Sequence, residues 1–529
     1  FGSSQFWPPP APPAAAATPK PDLQMTIGDA SDVHPTLLQG SQAGTPKAAK
    51  VLGSTGAQGY RPAEQRVDSK RMAFVTEALP EHLRPAAGLA AEMCRRGYAA
   101  DLLVGAAGAA AEHVSELHAL ESECSGLTLH AIMEGKDISA ELDWKRIAAS
   151  PGRIGGCTLK MFEEVDRQLT ELPGYVKLLR AMLGILEQLR PDVLVLDLPF
   201  QFLQFWAERE QIPTVFLHGH YFRMGPPLGC ARMSRDLACR LGKFKKERDP
   251  FGKLERGVES LGLSTHHLPS LPSPHWLLPA KGLAPHTLVF CEPELLNASS
   301  TPPRVHAVGP CLARRGRGLP GELEEWLQDA AQRHETVLCV AFGAACGGFL
   351  SEAAVRALRL AFDGLGPSWR VLWSVTEAQQ QLLCNHLQEW DARRLRVEPS
   401  ASLGAIFSHP AVRVFLTDGS ESAVAEGLAA GMPFLCLPLL LEHYEMAEAL
   451  DRHGLGLVFH KDELLDDQHW KLCSLLLRLA HEASFQKTAQ RYARLVQLRG
   501  CGCRRAGDVL ESIAHVGADF QELWQGVAP

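Results

Sequence analysis

The most regular pattern along the chain is an alternation of short apolar runs with longer segments whose apolar residues recur every three to four positions. Met72 to Val75 and Ala100 to Val104 are strand-length runs, and "LRPAAGLAAEMCRRGYAA" carries helical spacing that ends near Gly97. Val176 to Leu189 predicts a helix, Val193 to Leu196 a strand closing on Asp197, "FLQFWAERE" a helix and "IPTVFLHG" another strand. The series resumes with a strand over Thr336 to Phe342, a helix over Ser351 to Phe362 and a strand over Val371 to Ser374. In "VFLTDGSESAVAEGLAAGMPFLCLPLL", residues 414–440, Val414 to Leu416 reads as a buried strand and Ser420 or Ser422 as an N-cap. Glu421 to Ala430 is then a helix with Gly431 as its C′ residue. Pro433 stops it, and Phe434 to Leu437 is the next strand. From Asp462 to Leu523 the spacing is helical throughout. Strands alternating with helices in this way predict α/β architecture: two doubly wound parallel sheets, each covered on both faces.

Residues 1–68 are rich in Pro, Ala, Gly, Ser and Thr and bury little, which predicts a disordered tail. Inside it "KVLGSTGAQGY", residues 50–60, imitates a dinucleotide-binding loop, yet the "RPAEQRVDSKR" that follows lacks the apolar helix such a loop needs. A first domain is placed at 69–295, a Pro- and Gly-dense connection at 296–321, and a second domain with carboxyl-terminal helices at 322–529. Two such domains leave a cleft between them, the usual place for a ligand.

Composition narrows the chemistry. The 529 residues are 46% hydrophobic and 21% charged, enough for two proper cores, and the net charge of −7 gives no electrostatic reason to seek nucleic acid. The 14 cysteines show no paired CxxC spacing, so neither a metal site nor a disulfide framework is written in the sequence, and reduced, cytoplasmic thiols are expected. No stretch approaches the roughly 18 apolar residues of a membrane span.

Two polar residues stand at predicted strand exits of the first domain. His82 follows the first strand and Asp197 ends another, so both should face one rim of the sheet. A histidine that abstracts a hydroxyl proton works best with a carboxylate on its other ring nitrogen, although an acid at a strand end also serves as an ordinary helix cap. In the second domain Asp418 falls where free amides and a helix dipole favour an anion, and an acid there would repel a phosphate. Other residues read more simply. His409-Pro410 is a loop before a strand, Trp373 core, Cys384-Asn385-His386 a helix surface, and "KFKKERD" (243–249) a solvated face. "LPSLPSPHWLLP" (268–279) either lines a ligand pocket or crosses the surface, and Phe200, Phe202 and Phe222 point to a small lipophilic ligand.

Taken in order, these pieces resemble the family-1 glycosyltransferases of the UDP-glycosyltransferase type, over about residues 71–526. "HLRPAAGLAAEMCRRGYAADLLV" is similar to their first βα unit, "RPDVLVLDLPF" with "AEREQIPTVFL" to the strand bearing the dyad acid, and "VHAVGP" to the strand before the linker. "TVLCVAFGAA" and "VLWSV" resemble the opening strands of the donor domain, "IFSHPAVRVFLTDGSESAVAEGLAAGMPFLCLPLLLEHYEMAEAL" the donor signature, and "AGDVLESIAHVGADFQELW" the carboxyl-terminal helix. The resemblance implies the GT-B fold and a hexose moved from a nucleotide sugar, most simply a UDP-sugar, to a hydroxyl with inversion and without a required metal or other cofactor. It makes His82 the general base and Asp197 the group that orients it. It also makes Gly343 a close neighbour of the nucleotide, Glu426 the ribose ligand, and Glu442 with His443 the sugar-contacting pair, a position where the family has Gln instead of His443.

Departures cluster at the diphosphate. Where the family shows Thr-His-Gly-Gly-x-Asn-Ser, this chain reads Thr417-Asp418-Gly419-Ser420-Glu421-Ser422-Ala423, and where it shows Trp-x-Pro-Gln, with the Trp stacked on uracil, this chain reads Ser400-Ala401-Ser402-Leu403. Ser420 and Ser422 retain hydroxyls that can donate to phosphate. A carboxylate about 4 Å from a phosphate costs roughly 4 kcal/mol at an effective dielectric near 20, half of the roughly 8 kcal/mol of a micromolar complex. The alternatives to an active transferase are therefore a catalytically impaired GT-B protein acting as a binding or regulatory module and another sugar-nucleotide reaction on the same fold, such as epimerisation.

Overall fold

The computed structural model describes residues 70–105, 111–136, 143, 146, 172–218, 252–263, 286–295, 304–312, 318–343, 349–375, 379–380, 383, 390–399, 402–466 and 468–517. The expected tail at 1–68, with its glycine-rich 50–60 loop, lies outside them, as do segments 243–249, 268–279 and 384–386 and Phe222.

Seven strands form the first sheet: β1 (Arg71–Glu77), β2 (Ala99–Gly105), β3 (Leu127–Ile132), β4 (Val193–Asp197), β5 (Thr214–His218), β6 (His286–Val289) and β7 (Val305–Ala307). Six form the second: β8 (Thr336–Ala341), β9 (Trp369–Val375), β10 (Leu395–Pro399), β11 (Val412–Thr417), β12 (Phe434–Cys436) and β13 (Gly456–Val458). The helices in chain order are α1 (Pro80–Arg95), α2 (Ala111–Glu123), α3 (Pro173–Leu189), α4 (Gln204–Arg209), α5 (Gly252–Glu259), α6 (Gly321–Gln332) and α7 (Glu352–Asp363). They continue with α8 (Leu403–Phe407), α9 (Glu421–Ala430), α10 (Leu441–Arg452), α11 (Lys461–Leu465), α12 (His469–His481), α13 (Ala483–Arg499) and α14 (Gly502–Val516).

Among the described residues every strand pairing is parallel, in the orders β3-β2-β1-β4-β5-β6-β7 and β10-β9-β8-β11-β12-β13. Burial on both faces explains why β4 and β8 read as unbroken apolar runs rather than alternating ones. Trp373 sits in the core, with Phe342 and Phe362 edge-on to it at 6.1 and 6.0 Å between ring centroids. Helix α9 begins and ends where its sequence signals put it, and Gly431 takes the left-handed conformation (φ 71°) that closes it.

Three expectations change in detail. The 296–321 connection contains β7, which pairs with β6 in the first sheet, so that sheet continues past residue 295. The segment after β4 opens as a 3₁₀ turn over Leu198–Leu203 before α4, with Phe200 off helical geometry, rather than as one helix. The last helix, α14, packs against α1 and β4 of the first half rather than only against its own domain.

Close backbone approach at β13 gives a stability prediction. A Cβ on Gly456 would lie 2.3 Å from the carbonyl oxygen of Phe434 on the neighbouring strand β12. Backbone inside a sheet cannot step aside, so Gly456→Ala is expected to destabilise the fold by about 1–3 kcal/mol in denaturant unfolding.

Candidate functional site

In a doubly wound sheet the chain reverses its direction of winding between two neighbouring strands, and the crevice at their carboxyl ends is where ligands bind. Here those pairs are β1 with β4 in the first sheet and β8 with β11 in the second. Both groups of sequence-predicted residues fall at these two places.

At the first, the register pairs Val75 with Leu196, so Thr76 and Asp197 come next along their strands. Asp197 is 4% exposed, and its Oδ2 accepts from the Thr76 hydroxyl at 3.1 Å. His82, in the first turn of α1, lies with its Nδ1 2.9 Å from the same oxygen, and its side chain is 33% exposed. A carboxylate only accepts, so Nδ1 carries the proton and Nε2 is the basic nitrogen of the ring. The structure therefore brings the two predicted residues into contact. It adds Thr76, a second donor that fixes the carboxylate. The only sequence signal for Thr76 was a polar residue ending an apolar strand.

Beside this pair the site is packed. Glu77 is fully buried at the end of β1. Burial first, and then the Glu77 charge, push the Tyr175 hydroxyl well above its usual range, and that hydroxyl donates to the Pro199 carbonyl. Phe200 and Phe202 lie 6.2 and 6.5 Å from the Tyr175 ring, at 0% and 8% exposure. These two phenylalanines are thus core residues, which removes their support for a lipophilic acceptor.

At the second switch point Thr417 pairs with Ala341, which sets Asp418 opposite the turn that leaves β8. Asp418 is fully buried. Its Oδ2 accepts the Gly343 N–H at 2.8 Å, and its Oδ1 accepts the Ser420 N–H at 3.0 Å and the Thr417 hydroxyl at 3.2 Å. The acid read from sequence as repulsive to an anion is itself the acceptor of that corner. Gly343 is tight against this acid, since a Cβ there would sit 3.1 Å from Asp418 Oδ2. Gly419 takes φ +90°, and a Cβ on it would meet the His443 carbonyl at 3.1 Å.

Around this corner, Ser420 holds the N-cap position of α9 without a side-chain cap, and Ser422 is half-buried in the first turn. His443 is 3% exposed. Its Nδ1 accepts the Leu440 N–H at 3.3 Å and stands 3.9 Å from Asp418 Oδ2. The Glu426 carboxylate lies over the start of α8, where a Cβ on Gly404 would be 2.8 Å from its Oε2. That turn is the continuation of the segment aligned with the uracil-stacking motif, whose Ser400 and Ala401 lie outside the described residues, as does the side chain of Glu442. Gln379, which nothing in the sequence marked, is 1% exposed and donates from Nε2 to the carbonyls of Phe342 and Gly343 at 3.2 and 3.0 Å. It orients the turn that presents the Gly343 N–H. Among the described residues no cluster of three or more His, Cys, Asp or Glu is arranged to hold a metal, and no helix is long and apolar enough to cross a membrane.

Residues 296–469 match the family model described as UDP-glucoronosyl and UDP-glucosyl transferase. The match covers the second sheet as far as α11 and leaves His82 and Asp197 outside it. The chain is 26% identical over 218 residues to "UDP-glycosyltransferase 1" of Phaeomoniella chlamydospora, an alignment covering 40% of this chain and 43% of that protein. It is 26% identical over 197 residues to the "2-hydroxyacylsphingosine 1-beta-galactosyltransferase" of Rattus norvegicus, covering 37% of this chain and 33% of that one. The alignments thus span less than half the length of these relatives. Among solved structures, the glycotransferase of kitacinnamycin superposes with a TM-score of 0.58 at 17% identity, over 84% of this chain and 98% of that one, a likeness of fold. The chain thus has the GT-B fold, and its residues 296–469, with a divergent donor-binding signature, match the UDP-glycosyltransferase family model.

Proposed function

We propose that the protein transfers a hexose from a nucleotide sugar, most simply UDP-linked, to a hydroxyl group, with His82 as general base. The observation that carries this reading is the 2.9 Å contact between His82 Nδ1 and Asp197 at the first switch point. In the reaction the acceptor oxygen attacks the anomeric carbon as its proton passes to Nε2 of His82. The bond from that carbon to the phosphate oxygen breaks, and the nucleoside diphosphate leaves with the electron pair. A single displacement inverts the anomeric configuration. Asp197 holds the tautomer and stabilises the imidazolium that forms, while Glu426 and His443, beside the corner where the amides of Gly343 and Ser420 hold Asp418, face the donor. No cofactor besides the donor takes part.

A second reading, a GT-B protein that binds without transferring, is favoured by one observation. The amides best placed for phosphate already serve Asp418. A screen of UDP-hexoses against phenolic and aliphatic hydroxyl acceptors, read by mass and by the anomeric coupling of the product, separates the two. A β-glycoside from an α-linked donor is the expected product. A retained configuration would refute the single displacement, and an absence of product across the panel would leave the binding module.

A further inference from the structure

We propose that Asp418 is a built-in anion seated in the phosphate position of the second domain, and that a donor's diphosphate binds only by displacing it. This rests on the reading that the second switch point receives a nucleotide sugar.

An ordinary helix cap satisfies amides of its own helix and nothing more. Asp418 does something different. It precedes the N-cap residue Ser420, whose own side chain makes no capping bond, and it gathers donors from two separate elements. The Ser420 N–H comes from the start of α9, and the Gly343 N–H comes from the turn after β8, on the neighbouring strand of the sheet. Amides converging from a strand end and a helix start at a switch point are the arrangement that doubly wound folds use for phosphate. The Thr417 hydroxyl adds a third donor. Gln379 holds the carbonyl side of the Gly343 turn, which keeps its N–H directed at the carboxylate. The left-handed Gly419 lets the chain turn back tightly enough for one side chain to reach both amides. A carboxylate and a phosphate present the same acceptor oxygens, so one excludes the other.

The test uses the full chain, calorimetry and thermal denaturation, with inorganic pyrophosphate and UDP as probes. Asp418→Ala empties the seat, and Asp418→Asn keeps its shape while removing the charge and turning an amide donor toward N–H groups. The alanine variant is expected to melt below the unmodified protein in anion-free buffer and to be raised by pyrophosphate or UDP in a dose-dependent way, as for any ligand that binds only the folded state. The unmodified protein should hardly respond. Both variants are expected to bind UDP at least tenfold more tightly than the unmodified chain. If Asp418→Ala does not fold, the comparison is decided by Asp418→Asn.

Equal binding of pyrophosphate and UDP by the unmodified chain and the variants would overturn the proposal while leaving the donor reading intact. Variants that bind neither probe would also overturn it. Variants that gain pyrophosphate, with UDP binding no better than pyrophosphate, would uphold the seat and count against a nucleotide as its ligand.

Discussion

Replacing His82 with alanine is expected to lower turnover by roughly 10²- to 10⁴-fold while changing KM for the donor little. The size follows from what the imidazole supplies. An acceptor alcohol is too weakly acidic to attack as it stands, and proton removal in the transition state is the part of the barrier that Nε2 addresses. The donor corner at β8 and β11 lies on the other sheet, so the loss belongs in kcat. Asp197→Asn should fall in the same direction. An amide at that position can donate to Nδ1 instead of accepting from it, which moves the ring proton to Nε2 and leaves no base facing the acceptor. It also disturbs the bond from Thr76. Stability separates catalytic loss from unfolding: His82 is a third exposed, so its truncation should barely move the thermal midpoint, whereas Asp197 is buried. Turnover that survives His82→Ala would discard the base assignment, whatever the fate of Asp197→Asn.

Much of the fold was legible because parallel strands covered on both faces leave unbroken apolar runs, and β1, β4, β8, β9 and β11 all do. The helix from Glu421 to Ala430 was readable from its Gly431 and Pro433 stop signals alone. Three residues of β7, partly buried and flanked by Pro and Gly, carry too little pattern of their own to stand out from a linker, and only the resemblance of "VHAVGP" to a family strand marked them. The site divides the same way. Residue type and strand-end position marked His82 and Asp197 as a pair. Thr76 is 121 residues from Asp197, and only the β1–β4 register joins them. For Asp418 the sign of the charge was readable but its partners were not, because backbone amides leave no trace in a sequence. Gln379 is the extreme case, a polar residue that acts only through the two carbonyls it happens to meet.

Replacing Arg499 with alanine is expected to cost about 3–5 kcal/mol of folding stability, the usual penalty for stranding a buried charge. Arg499 ends α13, a helix packed on α9 of the second half. Its guanidinium reaches Glu292 and Glu294, just beyond β6 of the first sheet, with Nη1 2.6 Å from Glu294 Oε2. Glu292 is fully buried, so the alanine variant would leave its carboxylate in the interior without that cation. Arg499→Lys should recover only part of the loss, since one ammonium cannot reproduce the forked contact with both acids. Adding Glu292→Gln to the alanine variant should restore stability relative to the single change, a coupling that a merely exposed salt bridge would not show. The pH dependence has a defined sign. Hydrogen bonding to Arg499 holds the Glu294 carboxyl below its ordinary value. A depressed folded-state pKa contributes stability above the unfolded glutamate value of about 4.3, and that contribution disappears as pH falls through the folded value. The gap between the unmodified protein and Arg499→Ala should therefore be widest near neutrality and narrow below about pH 4. Urea unfolding at pH 7 and at acid pH measures it, and a difference under about 1 kcal/mol at neutrality would show the cluster to be no stronger than a surface pair.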